Sequence, residues 1–190
     1  MLYHVSEESG IARFEPRTAA GVEHPVVWAV NGERLRNYLL PRDCPRVTFF
    51  AGARTESADI ERFLGTSAAV VAFEAGWLER VRRTRLFCYH FAETSFECVD
   101  RNAGYFHSAE AVVPERVEVI EDLLFALGLR GVEIRVLPSL WELHDAVVGS
   151  SLSYSMIRMR NAGGRGASMT GGVEGNRNSA PHPGPRPCRN

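Results

Sequence analysis

The sequence predicts an α+β domain, a mixed and bent β-sheet carrying short helices, followed by an unstructured tail. Short alternating or apolar segments recur along the chain and read as strands, while the helical stretches between them are brief and irregularly placed. No glycine-rich turn of the G-x-G-x-x-G or G-x-S-x-G kind joins a strand to a helix, which sets aside a doubly wound nucleotide fold and a hydrolase elbow. A chain of 190 residues with 45% hydrophobic content suits one core rather than two. The expected globular domain is therefore 1–162, and the expected tail is 163–190.

Leu2-Tyr3-His4-Val5-Ser6 alternates as the first strand, with Leu2, His4 and Ser6 on one face and Tyr3 and Val5 on the other. A face bearing an imidazole and a hydroxyl asks for polar partners, so this strand is expected to line a cleft. Residues 7–25 hold two prolines, two glycines and little periodicity, and read as a long loop. Strands are expected at 26–30 and 46–50, flanking a short helix over 33–40 that Asn31 caps and Pro41 stops. Ser57 opens another short helix and Gly65 closes it. Further strands are expected at 68–73, 86–91, 96–99, 109–113, 117–120 and 132–137, with helices over 76–83 and 121–129. After Pro138, the spacing of Trp141, Val148, Leu152, Met156 and Met159 predicts one long final helix whose stripe faces the core. From Gly163 onward come seven of the 17 glycines, four of the ten prolines and almost no large apolar residue. Burial cannot offset the entropy of ordering such a segment.

All 22 basic residues are arginine. Without lysine there is no Schiff-base nucleophile, no lysine base and no P-loop. Net charge is −1, and four arginines against one acid after residue 160 leave the body at −4. The body thus has no basic field for a nucleic-acid backbone, only room for a local arginine patch. No 18-residue apolar run occurs, so no membrane span is expected, and a soluble cytoplasmic protein is the expectation. The four cysteines lack CxxC spacing, which argues against a disulfide framework.

Four constellations could carry chemistry. The first is the His4/Ser6 face. The second is Pro41-Arg42-Asp43-Cys44-Pro45-Arg46, where two prolines hold the loop. Either Arg42 and Asp43 interact locally and stiffen the turn, or Arg42 is presented to an anionic ligand. The third is 103–110, where Gly104 allows a sharp entry and Glu110, expected to begin a strand, is either a solvated charge or a base. The fourth is a zinc set of Cys88, His90, Cys98 and His107, whose spacings match no compact finger.

The strings LYHVSEESGIARFEPR, VVWAV, PRDCPRVTF and PSLWELHDAVVGSSLSYSMIRMRNA resemble those of an uncharacterised bacterial family, a domain of unknown function, over 1–162. Shorter segments resemble the ADP-ribosyltransferase superfamily: Tyr3-His4-Val5-Ser6, the strand and helix from Val26 to Tyr38, and Gly104 to Pro114. That resemblance implies a split, bent α/β core and NAD as cofactor. It implies that His4, within its Tyr-His-x-Ser setting with Ser6, holds the ribose, that Tyr38 stacks near nicotinamide, and that Glu110 binds the 2′-hydroxyl. A carboxylate there would stabilise oxocarbenium-like charge as the nicotinamide–ribose bond breaks. The expected site is a cleft shared by His4, Tyr38 and Glu110, with Arg42 at its rim. The alternative is a non-catalytic domain that binds a small anion or a protein partner through the Pro41 to Arg46 loop.

Overall fold

The structure, a computed structural model, describes residues 1–18, 22–101 and 103–165. Contacts within the chain cluster into two units. One takes Met1–Leu35 and Phe87–Glu118; the other takes Arg36–Leu86 and 119–165. The chain is α+β, as its short segments predict, but it builds two sheets rather than one.

The first sheet contains β1 (Leu2–Ser6), β2 (Val27–Val30), β5 (Leu86–Phe91), β6 (Glu97–Asp100), β7 (Tyr105–Ser108) and β8 (Arg116–Ile120), in the order β6-β7-β2-β1-β5-β8. The pairs β1–β2, β1–β5, β2–β7 and β6–β7 are antiparallel. In the β1–β5 ladder Leu2 faces Phe91, His4 faces Tyr89 and Ser6 faces Phe87. Residues directly opposite share a face, so Leu2 and His4 lie with the aromatic residues of β5. That face packs: Leu2, Val27, Ala29, Tyr89, Phe91 and Val112 are buried together, and Phe14, Phe96 and Phe106 lean on them. The loop over 7–25 contributes Phe14, which bridges to Val112 through two backbone hydrogen bonds.

The second sheet runs β10-β3-β4-β9, from β3 (Arg46–Phe50), β4 (Ala69–Glu74), β9 (Val132–Leu137) and β10 (Ser153–Ile157). Only β4 and β9 are parallel. Every residue of β3 and of β4 is buried, which explains the unbroken apolar run over 69–73 and the Val47, Phe49 and Phe50 of β3. Val47, Phe49, Val70 and Ala72 pack on Phe63, Leu140, Val147 and Leu152. The helices are short: α1 (Ser57–Asp59), which continues into a wider turn over Ile60–Leu64, then α2 (Leu78–Arg83), α3 (Leu123–Gly128) and α4 (Trp141–Val148).

Three expectations need correction. The segment expected as a helix over 33–40 is a single 3-10 turn, Leu35–Tyr38. The strand expected at 109–113 instead occupies Tyr105–Ser108, so Glu110 follows a strand rather than beginning one. The long final helix ends at Val148; Gly149 and two serines turn the chain back, and β10 lies antiparallel on β3. Leu152 is buried and Met156 packs on the core, yet neither is helical.

Gly163 and Arg165, the start of the expected tail, are held by side chains of the body. Gly163 donates its N–H to both oxygens of the buried Glu74 carboxylate, 2.9 and 3.1 Å away. Its carbonyl accepts from the Trp141 indole. Arg165 stacks over Trp141, 4.3 Å from the ring centre, and pairs through both terminal nitrogens with Asp145. The remainder of the expected tail lies outside the described residues. Truncation after Ala162 should lower stability by about 1–3 kcal/mol, since it strips a buried carboxylate of a hydrogen-bond donor. Thermal melts of the truncated and full chains check this, and equal melting temperatures would contradict it.

Candidate functional site

Alternation gives the six-stranded sheet a second face of different character. Tyr3 lies opposite His90 and Val5 opposite Cys88. Tyr3 also lies opposite Val30, while Trp28 faces His107 and Val30 faces Tyr105 across β2 and β7. Tyr3, Trp28, Val30, Cys88, His90, Tyr105 and His107 thus share one side, the reverse of the packed side. Tyr3, Trp28, Tyr105 and His107 are half-buried there, whereas His90 and Cys88 are fully buried.

The rings meet edge to face. The Trp28 ring centre is 6.1 Å from that of Tyr105 and 5.9 Å from that of His107, and Tyr3 stands 4.9 Å from His90. Such T-shaped contacts place a positive ring edge on a negative face. Among the described residues neither ring nitrogen of His90 makes a well-aligned hydrogen bond, nor does Nδ1 of His107. Glu118 comes within 3.3 Å of His90 Nε2, and Glu97 within 3.6 Å of His107 Nε2. Burial, reinforced by the nearby Arg116 charge, pushes His90 below the usual imidazole range against the opposing pull of Glu118.

Gly104 sets the entry to β7. Its φ of +65° suits glycine, its carbonyl accepts from Asn31 N–H, and a Cβ there would come within 2.5 Å of Arg34 Cγ and 2.6 Å of Asn31 Oδ1. The Asn31 side chain in turn accepts from Arg34 N–H. The half-buried Arg34 therefore lies against the Gly104 turn that leads into Tyr105. Desolvation lowers its pKa, while Glu33 and Asp100 oppose that.

The five residues expected to bind or act on a cofactor, His4, Ser6, Tyr38, Arg42 and Glu110, are not among those of this face. His4 lies on the packed face, not in a polar cleft: Nδ1–H donates to the Trp28 carbonyl at 2.9 Å and the ring tilts against Phe14 at 4.9 Å. Across the ladder His4 faces Tyr89, so aromatic side chains from β5 and from the covering loop flank its ring. Ser6 Oγ accepts from Glu8 N–H in a local turn. Glu110 is exposed, and Ser108 Oγ ties down its backbone at both N–H and carbonyl. His4, Ser6 and Glu110 belong to the first unit; Tyr38 and Arg42 belong to the second. Of the zinc set, Cys88, His90 and His107 share a face, but Cys98 lies opposite Phe106 on the packed face. Among the described residues no three such donors converge.

The proline-bracketed loop is held from within. Arg46, buried, donates to the carbonyls of Pro41 and Cys44 at 2.8 and 3.1 Å. Desolvation lowers its pKa to about 10 and raises that of the buried Cys44 thiol to about 12, which makes Cys44 a poor nucleophile. Arg158, in the left-handed region at φ 55°, donates to the Arg42 carbonyl, and Asn161 donates to that of Asp43. Arg42 itself is exposed. A concavity of about 580 Å³ beside α2 is lined by Ala75, Leu78, Glu79, Arg82 and Arg83, and includes none of the five sequence candidates.

The Trp28 and His90 face was missed because its members lie far apart in sequence and only the strand register unites them. Two outcomes check its construction. Gly104→Ala should cost about 1–3 kcal/mol from backbone strain, before any clash is added, as denaturant unfolding would show. Because the His90 pKa is lowered in the folded state, the unfolded chain binds protons first as pH falls. The stabilisation from keeping His90 neutral is complete above the ordinary imidazole value near 6.5. It is lost as pH falls from there towards the depressed folded value. In melts at pH 7.5 and 5, His90→Phe should show a smaller pH-dependent change than the parent chain; an unchanged pH dependence would mean that His90 does not titrate in this way.

No curated protein and no solved structure matches this chain, and nothing in the comparisons points to the ADP-ribosyltransferase superfamily. A model of a family of unknown function, DUF6886, matches residues 3–162. The chain belongs to that family.

Proposed function

We propose that this protein binds a small ligand with a flat ring, a nucleotide such as NAD, on the Tyr3, Trp28, Tyr105 and His107 face of its six-stranded sheet. The observation that carries this reading is the row of half-buried rings on one face, with Trp28 edge-on to both Tyr105 and His107. Half-buried aromatic side chains gathered on one sheet face suit stacking with a nucleobase or a nicotinamide ring, worth about 1–3 kcal/mol per stacked base. Arg34, whose stem lies against the Gly104 turn that leads into Tyr105, supplies near this strand end the side-chain type that pairs with phosphate. The proposal is one of binding, without a chemical step. Glu110, the acid suggested by resemblance, sits in an exposed turn after β7 and is left out of it.

Isothermal titration of the full chain with NAD+, AMP and nicotinamide mononucleotide tests this. Binding by at least one of them is expected, weakened roughly 5–150-fold in Trp28→Ala. Glu110→Gln and Arg42→Ala should leave it within twofold, about the scatter of near-neutral contacts. No heat at millimolar ligand would end the proposal. So would binding that survives Trp28→Ala and is lost in Arg42→Ala, which would move the ligand to the Pro41 to Arg46 loop.

A further inference from the structure

The strand β8 ends the six-stranded sheet, and no described strand pairs with its outer side. Arg116, Val117, Glu118 and Val119 are all exposed, with Val117 at 44% and Val119 at 50%. A free edge of this length is a template for another strand, and proteins usually blunt it with charges that repel a copy. Here the charges do the reverse in one register. The Glu115 N–H turns inward to the His90 carbonyl. Glu118 reaches His90 Nε2 at 3.3 Å, so Arg116 and Glu118, two residues apart, present their side chains on the His90 face of this edge.

We infer that β8 pairs antiparallel with β8 of a second copy of this chain, across a two-fold axis at Val117. A two-fold perpendicular to the sheet keeps each face on its own side, so only registers that pair residues of the same face are allowed. Centring on Val117 sets Arg116 opposite Glu118 of the other copy, twice over, and the two valines opposite each other. Centring on Glu118 sets two carboxylates face to face, which is destabilising. Centring on Val119 sets Glu118 against Ile120 and leaves Arg116 without an opposite strand residue. The sequence of the edge, Arg-Val-Glu-Val, is therefore self-complementary in one register. Pairing would join two six-stranded sheets into one continuous sheet.

Sedimentation of the full chain across a concentration series, with charge-reversed variants, tests the inference. The parent chain should dimerise. Arg116→Glu and Glu118→Arg should each raise the dimer dissociation constant by at least about tenfold, because each puts like charges opposite one another twice. The double variant R116E/E118R should recover the parent affinity, which also shows that the single variants fold. A parent chain that stays monomeric at all concentrations would overturn the proposal. So would a dimer indifferent to the single reversals, or a double variant that does not recover.

Discussion

The register of β1 against β5 is the constraint on which the first sheet depends. Leu2 opposite Phe91 and Tyr3 opposite His90 divide the strand into two kinds of surface. Because the side-chain period is two, a slip by one residue would exchange them completely. Tyr3 and Val5 would then enter the layer sealed by Phe14, Tyr89 and Phe91, and Leu2 would be turned out. The observed register also fixes the polar groups. Tyr89 donates its hydroxyl proton to the Glu8 carbonyl and accepts from Ile11 N–H, so a fully buried ring has its oxygen satisfied by the loop that covers it. His4 solves the same problem by donating to Trp28, the residue whose side chain lies on the other face. Core and candidate site are thus two sides of one ladder.

The second unit shows the same economy around a different group. The Glu74 carboxylate ends the buried strand β4 and would be costly without partners. It accepts from the backbone of Leu140 at the start of α4 and from Gly163 near the end of the described chain. Arg46, at the start of neighbouring β3, is buried and donates to two backbone carbonyls. That arrangement spends its guanidinium on holding the loop, and it is Arg42 that is exposed. Of the two roles the prolines suggested for this loop, internal stiffening is supplied by Arg46.

Much of the fold was legible because period-two patterns and unbroken apolar runs map directly onto strands: β1, β3, β5 and β9 fall where 2–6, 46–50, 86–91 and 132–137 predict. The failures have local causes. Trp141, Val148, Leu152 and Met156 share a helical spacing by coincidence, and the Gly149-Ser150-Ser151 turn outweighs it. The strand expected at 109–113 is pre-empted by one that Gly104 launches four residues after Asp100 and that the Ser108 side chain ends. Gly163 docks through its backbone, which no count of apolar side chains can register. For the candidate site, His4 was conspicuous for its type, yet its environment comes from Phe14 and Tyr89, neither of which is its neighbour in sequence. Trp28, Tyr105 and His107 were visible individually and became a group only through the β2–β7 register.

The central claim is that the reverse face of the ladder, not the His4 side, receives the ligand. Titrating the isotope-labelled full chain with AMP while following its nuclear magnetic resonance spectrum tests this most directly. The account predicts that the Trp28 indole and the ring signals of Tyr3, Tyr105 and His107 move together, while those of Trp77 and Trp141 stay in place. Shifts confined to Phe14 and His4, or to the Pro41 to Arg46 loop, would contradict it.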